Sequence, residues 1–285
     1  MDIYLSLSGI TFHLAFERDI SVNPQYAPFL IPPRETVDIT VRVTWDWGAV
    51  PQLDGTPIGR DLLHQYYMVG GHLLCVTLGG PKGPVGCTVC SPDFRELVCY
   101  VNEAPFLCKL QALGSFLRMI PICRIFTHFG TLFFHAAQIL YTGKGILFSA
   151  PSGTGKTTQA RLWQTCRGAE LLCNDRTLVR KMDGKWQTFG FPLDGSVPVA
   201  NNRVCSLGAV VCLEQGETCF AERLPPSKAL SRLMPQMVID GWDEKIRSAC
   251  MRQLVAMMEA APVYRLVCTP DVHAVETLEQ QLLKG

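Results

Sequence analysis

The stretch Gly145-Ile146-Leu147-Phe148-Ser149-Ala150-Pro151-Ser152-Gly153-Thr154-Gly155-Lys156-Thr157-Thr158 decides how the chain is read. An apolar run of strand character leads into a glycine-containing turn. A segment of helical composition, Thr157-Thr158-Gln159-Ala160-Arg161-Leu162-Trp163, follows at once. The turn matches G-x-x-x-x-G-K-[ST], with Ala150 at the first glycine position, and strand, turn and helix are the context in which that pattern cradles phosphate. Gly153 and Gly155 let the backbone curl with its N–H groups inward, through conformations a side chain would block. The helix start adds its positive end. Lys156 is of the right length to reach β- and γ-phosphates, and the Thr157 hydroxyl is a ligand for Mg2+. Ser152, Thr154 and Thr158 complete the expected cradle. A plain Gly/Ser turn explains the glycines, but not a lysine followed by a hydroxyl residue in this register.

Outward from the loop, His135 lies on the apolar run 131–141, one hairpin upstream. Asp175 stands at the end of the apolar run Leu171-Leu172-Cys173, one helix downstream, where a Mg2+-binding carboxylate belongs. Asp194 sits in a Gly/Pro loop, as a turn residue or a catalytic base. Arg176 and Arg203 are cations able to neutralise phosphoryl charge. Each also has a structural reading: a hydrogen-bonded core histidine, strand-end or turn aspartates, surface arginines.

The chain of 285 residues is long enough for one large domain or two smaller ones, and 48% hydrophobic content supplies ample core. A net charge of +1 gives no argument for nucleic acid or a membrane surface. No apolar run of about 18 residues predicts a membrane span. The N-terminus lacks a basic region and is patterned like a strand, so no signal peptide is expected. The thirteen cysteines are odd in number and mostly sit inside apolar runs, as free thiols in a reducing cytoplasm do. His72-x-x-Cys75 and Cys87-x-x-Cys90 have ligand-like spacing. Cys87 and Cys90 lie in alternating strand sequence without a knuckle glycine, and buried thiols are expected there rather than zinc.

Periodicity predicts strands at 3–7, 10–16, 37–45, 71–78, 86–90 and 96–102, with an irregular stretch at 46–66 and a helix over 105–118. Residues 1–120 therefore read as a mostly antiparallel β region closed by a helix, and residues 121–285 as an α/β domain around the glycine loop. In the second part, strands are expected at 131–141, 177–181 and 186–189 (the last two a hairpin through Asp183-Gly184), at 207–213 and at 263–268. Helices are expected at 226–234, 242–259 and 272–283, the last started by Thr269-Pro270-Asp271.

His135-Ala136-Ala137, the loop 146–158, Asn174-Asp175-Arg176 and Gly190-Phe191-Pro192-Leu193-Asp194-Gly195, in that order, resemble the HPr kinase/phosphorylase-related kinases, which share the nucleotide-binding core of phosphoenolpyruvate carboxykinase and include members found with peptide-modification cassettes. The resemblance covers about residues 120–285. It implies ATP and Mg2+ as cofactors, held by Gly153, Gly155, Lys156 and Thr157, with Asp175 as the metal-binding acid. It places His135 near the γ-phosphate or metal and Arg203 on the phosphoryl group. The acceptor it implies is serine on a protein or precursor peptide. Two departures stand out: Asn174 replaces the first of two adjacent acids, and Leu193-Asp194 alters the acceptor loop. A neutral amide accepts no proton from serine, which leaves Asp175 or Asp194 as base, or little turnover. The expectation is an ATP/Mg-dependent phosphotransferase in the cytoplasm that binds neither nucleic acid nor membrane, with self-association left open. The alternatives are a nucleotide-binding accessory protein and, less well matched in length, a carboxykinase-like small-molecule enzyme.

Overall fold

A computed structural model describes residues 1–53, 55–79, 82–104, 111–192 and 201–284. The chain divides into two compact units. Unit 1 comprises Met1–Phe129 with Asp240–Arg247, and unit 2 comprises Gly130–Ile239 with Ser248–Gly285. The division thus falls nine residues beyond the expected boundary near 120. A short helix at 122–128 belongs to the first unit, and an eight-residue segment from the C-terminal half joins it.

Unit 1 is built on one eight-stranded sheet. Its strands are β1 (Asp2–Leu7), β2 (Ile10–Phe16), β3 (Ile39–Thr44), β4 (Gly59–Arg60), β5 (His64–Val69), β6 (His72–Leu78), β7 (Pro84–Cys90) and β8 (Glu96–Val101). Their order across the sheet is β1-β2-β3-β8-β7-β6-β5-β4. The pairings are antiparallel except β2–β3 and β3–β8, which are parallel, so the mostly antiparallel expectation describes it. The alternation in β2 buries Ile10, Phe12, Leu14 and Phe16 on one face. β4 and the first half of β5 lie in the stretch 46–66 expected to be irregular. Of the helix expected over 105–118, residues 105–110 lie outside the described part and the rest is helical only at α1 (Leu113–Leu117); α2 (Ile122–His128) follows Pro121. Cys75, Cys87 and Cys90 are buried free thiols in the sheet, and burial holds each of them well above the usual thiol range.

Unit 2 is α/β. Its strands are β9 (Thr131–Tyr141), β10 (Lys144–Ser149), β11 (Glu170–Cys173), β12 (Arg176–Met182), β13 (Lys185–Gly190), β14 (Cys205–Gln215), β15 (Phe220–Arg223) and β16 (Val263–Cys268), in the order β10-β9-β12-β13-β14-β16-β15. β14 returns to pair with β10 in parallel, so β10, β9, β12, β13 and β14 form a closed ring of neighbours. Helices cover both faces. α3 (Lys156–Arg167) and α6 (Val272–Leu282) pack one cluster, around Phe148, Trp163, Val211 and Leu278. α4 (Pro226–Leu233) and α5 (Glu244–Ala260) pack the other, around Leu147, Val210, Leu233 and Leu254. β10 and the middle of β14 read as continuous apolar runs because both their faces are covered. Among the described residues no helix is long and apolar enough to cross a membrane.

Candidate functional site

β9 is the strand on which the site is assembled. Its eleven residues take β10 along one edge, with Ser149 opposite Ala136. Along its other edge run two collinear strands. β12 lies beside the first half, with Arg176 opposite His135, and β11 lies beside the second half, with Cys173 opposite Gln138. Asn174 and Asp175 occupy the break between β11 and β12, and a register shift in β11 precedes it. The Ala136 N–H donates to the Asp175 carbonyl at 3.1 Å, which fixes that break against β9. The exit of β10 into the glycine loop, His135 and Asp175 are therefore at one level of the sheet.

The loop itself runs from Ala150 to Gly155. Gly153 has φ 80° and Gly155 φ 109°, and a Cβ on either would meet nothing within 4 Å, so the backbone conformation rather than crowding demands glycine. Gly155 is the N-cap of α3 and no side chain caps that end. The first-turn N–H groups therefore form a terminus without a side-chain cap, at the electropositive end of the helix. Lys156 is buried, and its Nζ folds over the loop to donate to the Ala150 carbonyl at 2.8 Å and the Pro151 carbonyl at 3.2 Å. Burial lowers the lysine's pKa, partly opposed by the Asp175 carboxylate.

His135 Nε2 lies 2.9 Å from Asp175 Oδ1, both side chains being about 28% exposed. Burial and the nearby Lys156 charge lower the imidazole's pKa against the opposing pull of Asp175, which disfavours the charged form of His135. Arg176 Nε stands 3.5 Å from Asp175 Oδ2, and its guanidinium lies over the Phe133 ring, 5.6 Å from its centre. One half-buried carboxylate is thus surrounded by a histidine, an arginine and the loop lysine.

The structure brings together His135, Lys156, Asp175 and Arg176 beside the cradle residues Ser152, Gly153, Thr154, Gly155, Thr157 and Thr158. It does not bring Arg203 to them. That side chain pairs with Glu170 at the start of β11, on the far side of a strand's length from Asp175, and its own backbone N–H donates to Asn201 Oδ1. Asp194 lies outside the described residues. Asn174 is 4% exposed, and a carboxylate at that position would be a buried charge beside Asp175. Gln215, at the end of β14, escaped the sequence reading. Its amide Nε2 lies 3.5 Å from both the Gly153 and Thr154 carbonyls. The available signal was a polar residue closing the run 207–213 just before Gly216.

The family model described as "SynChlorMet cassette protein ScmC" matches residues 97–284, more than half of the chain. The chain belongs to this family. The match takes in the glycine loop, His135, Asp175 and Gln215, so the whole cluster falls within the ScmC-family region. Among solved structures, the HPr(Ser) kinase/phosphatase from Coxiella burnetii is similar over 53% of this chain and 93% of its own, at 12% identity and a TM-score of 0.30. A comparison with curated proteins gives no match.

Proposed function

We propose that this ScmC-family chain is an ATP- and Mg2+-dependent phosphotransferase whose acceptor is a hydroxyl, serine above all, on a protein or precursor peptide. One observation carries the reading: an uncapped glycine loop at the start of α3, with a buried lysine, opens beside a His135–Asp175 pair held by the neighbouring strand break. Such a loop fits a polyphosphate, because no side chain caps the helix end and the space beside Gly153 and Gly155 is open. ATP with Mg2+ would supply the transferable phosphoryl group. The loop amides and Lys156 would bind and orient the phosphates, and Thr157 and Asp175 would hold the cation. Arg176 would add positive charge where negative charge builds up. His135, oriented by Asp175, would hydrogen-bond at the reacting end of the site. The base falls to Asp175 or Asp194. The β sheet of unit 1 would recognise the acceptor, and the cytoplasm is the compartment that suits the twelve free thiols found among the described residues. The family's description as a cassette protein supports an acceptor encoded nearby.

A second reading, a nucleotide-binding accessory protein without turnover, is favoured by Asn174 in place of an acid and by Arg203 engaging Glu170. The test is transfer of label from γ-labelled ATP to peptides encoded in the same cassette, with Lys156→Ala and Asp175→Asn compared to the unmodified protein. Each change is expected to lower transfer by roughly a hundredfold or more, the scale of losing one charge-stabilising group. Transfer undiminished in both would sink the phosphotransferase reading. Tight ATP binding with no transfer to any peptide would favour the accessory one.

A further inference from the structure

The parallel strands β10, β14 and β16 end at the same edge of the unit 2 sheet. β10 runs on into the glycine loop. The ends of β14 and β16 form the wall of a groove of about 410 Å3 that begins at the loop backbone. Gly153 and Gly155 form one bank, and Leu213, Gln215, Cys268 and Pro270 the other. The crevice outside the carboxyl ends of parallel strands is where open α/β sheets take their ligands, and the volume is in the range of small-molecule sites.

We infer that this groove holds the nucleoside of the nucleotide whose phosphates the loop cradles, with Gln215 as the residue that reads the base. The inference rests on the nucleotide-binding reading above and extends it from phosphates to nucleoside. Three features carry it. The groove is continuous with the loop, so a ligand anchored there by its phosphates extends into it without leaving the protein surface. Its far wall offers an apolar stretch beside Thr269: Leu213 belongs to the buried cluster beneath α3 and α6, Cys268 packs against that cluster, and Pro270 closes the end. An apolar wall suits the face of a base and not a further charged group. Gln215 on that wall carries both a donor and an acceptor on one carboxamide, the pairing a base edge requires, and it stands at the strand end while Gln159, the other carboxamide of the lining, is buried on α3. Its contacts to the two loop carbonyls are at 3.5 Å, the weak limit of hydrogen bonding, so re-aiming it gives up little.

The probes are Mg·ATP and Mg·tripolyphosphate, which share the phosphates and differ in the nucleoside. Titrated into Cys268→Phe, which fills the groove from its wall, ATP is expected to bind about tenfold or more weakly, a loss of roughly 1.4 kcal/mol, while tripolyphosphate binds as to the unmodified protein. Equal affinity of ATP for both proteins, or equal weakening of the two ligands, would overturn the inference. The unmodified protein supplies an independent reading through alkylation of Cys268 by an uncharged reagent at mildly alkaline pH, resolved by peptide mapping. At roughly ten times its Kd, ATP is expected to slow that alkylation about tenfold. Tripolyphosphate should leave the rate unchanged, and Cys166 on α3 should react alike in all samples. ATP bound without protecting Cys268 would refute the groove assignment and leave the loop reading standing. Failure of both ligands to bind at all would refute the loop reading itself.

Discussion

Gly155 shows how a single residue sets the site. Its φ of 109° is a conformation that L side chains rarely adopt, although a Cβ there meets no neighbour. The expected loss for Gly155→Ala is therefore about 1–2 kcal/mol of backbone strain, a fall of about 2–4 °C in Tm for each kcal/mol in a chain of this size. The same change is expected to weaken ATP binding by about tenfold or more, because the displaced amides no longer converge. Calorimetric melting and equilibrium titration read the two effects separately. A variant that melts and binds like the unmodified protein would show that the conformation is dispensable. This residue was legible in the sequence because spacing alone places glycine, lysine and threonine at the strand-to-helix turn. Arg203 was not legible in the same way: a charge before a strand carries no record of its partner, and in the fold it pairs with Glu170. Asn174 shows the complementary limit. The sequence reads it as a missing acid, whereas its burial supplies a physical reason for a neutral group there.

At the scale of elements, capping chemistry and long apolar runs were readable. β16 spans Val263–Cys268 as expected, and α6 begins after Asp271, whose carboxylate accepts from the His273 N–H at 2.9 Å. Asp271→Ala is expected to lower stability by about 1 kcal/mol, seen as a lower midpoint in denaturant with an unchanged slope. A midpoint within error of the unmodified protein would show that the cap contributes nothing. The elements that escaped are those whose signal lies in their partners. β15 is four largely exposed residues with no apolar pattern, held by pairing to β16 and by Ala221 packing against the cluster under α6. β5 carries two polar residues and two tyrosines but is fully paired to β6. The break between β11 and β12, which sets Asp175 against His135, is likewise a property of β9. It is the common neighbour of both strands and cannot be seen from residues 170–182 alone.

At the scale of the whole molecule, contacts assign Asp240–Arg247 to unit 1 although the residues on either side belong to unit 2. The segment is held there by Arg124 on α2, which is 2.6 Å from Asp243 and 3.5 Å from Asp240 and lies over the Trp242 ring at 4.9 Å. Burial pushes Asp240 up to about 6 against the pull of Arg124. Burial acts to lower His64, but its hydrogen bonds to Asp61 and the Arg118 carbonyl, with the nearby Asp61 and Asp240 charges, together outweigh burial and raise it. Burial acts to raise Asp61, but its contacts with His64, the Leu63 N–H and the Tyr66 hydroxyl together outweigh burial and lower it to about 2. The signs are distinct. An acid whose folded pKa is raised binds more protons when folded, so the Asp240 contribution is full below the ordinary value of 3.8 and is lost as pH rises toward about 6. The His64 contribution is lost at higher pH still, as pH passes through its raised pKa, and that of Asp61 is lost only as pH falls from 3.8 toward about 2. Asp240→Asn is therefore expected to flatten the decline in Tm between about pH 4 and 6 relative to the unmodified protein. Parallel profiles would contradict the assignment. None of this was legible in the sequence, where Asp240 and Arg124 are separated by more than a hundred residues.

The claim that ties the scales together is that the loop 150–158, backed by His135 and Asp175, is a nucleotide site. It is tested most directly by titrating Mg·ATP into the unmodified protein and into Lys156→Ala. Saturable one-to-one binding is expected, weakened by roughly 10–100-fold in the variant, the scale of a lost hydrogen bond from a charged group. No binding to the unmodified protein, or the same affinity in both, would contradict it.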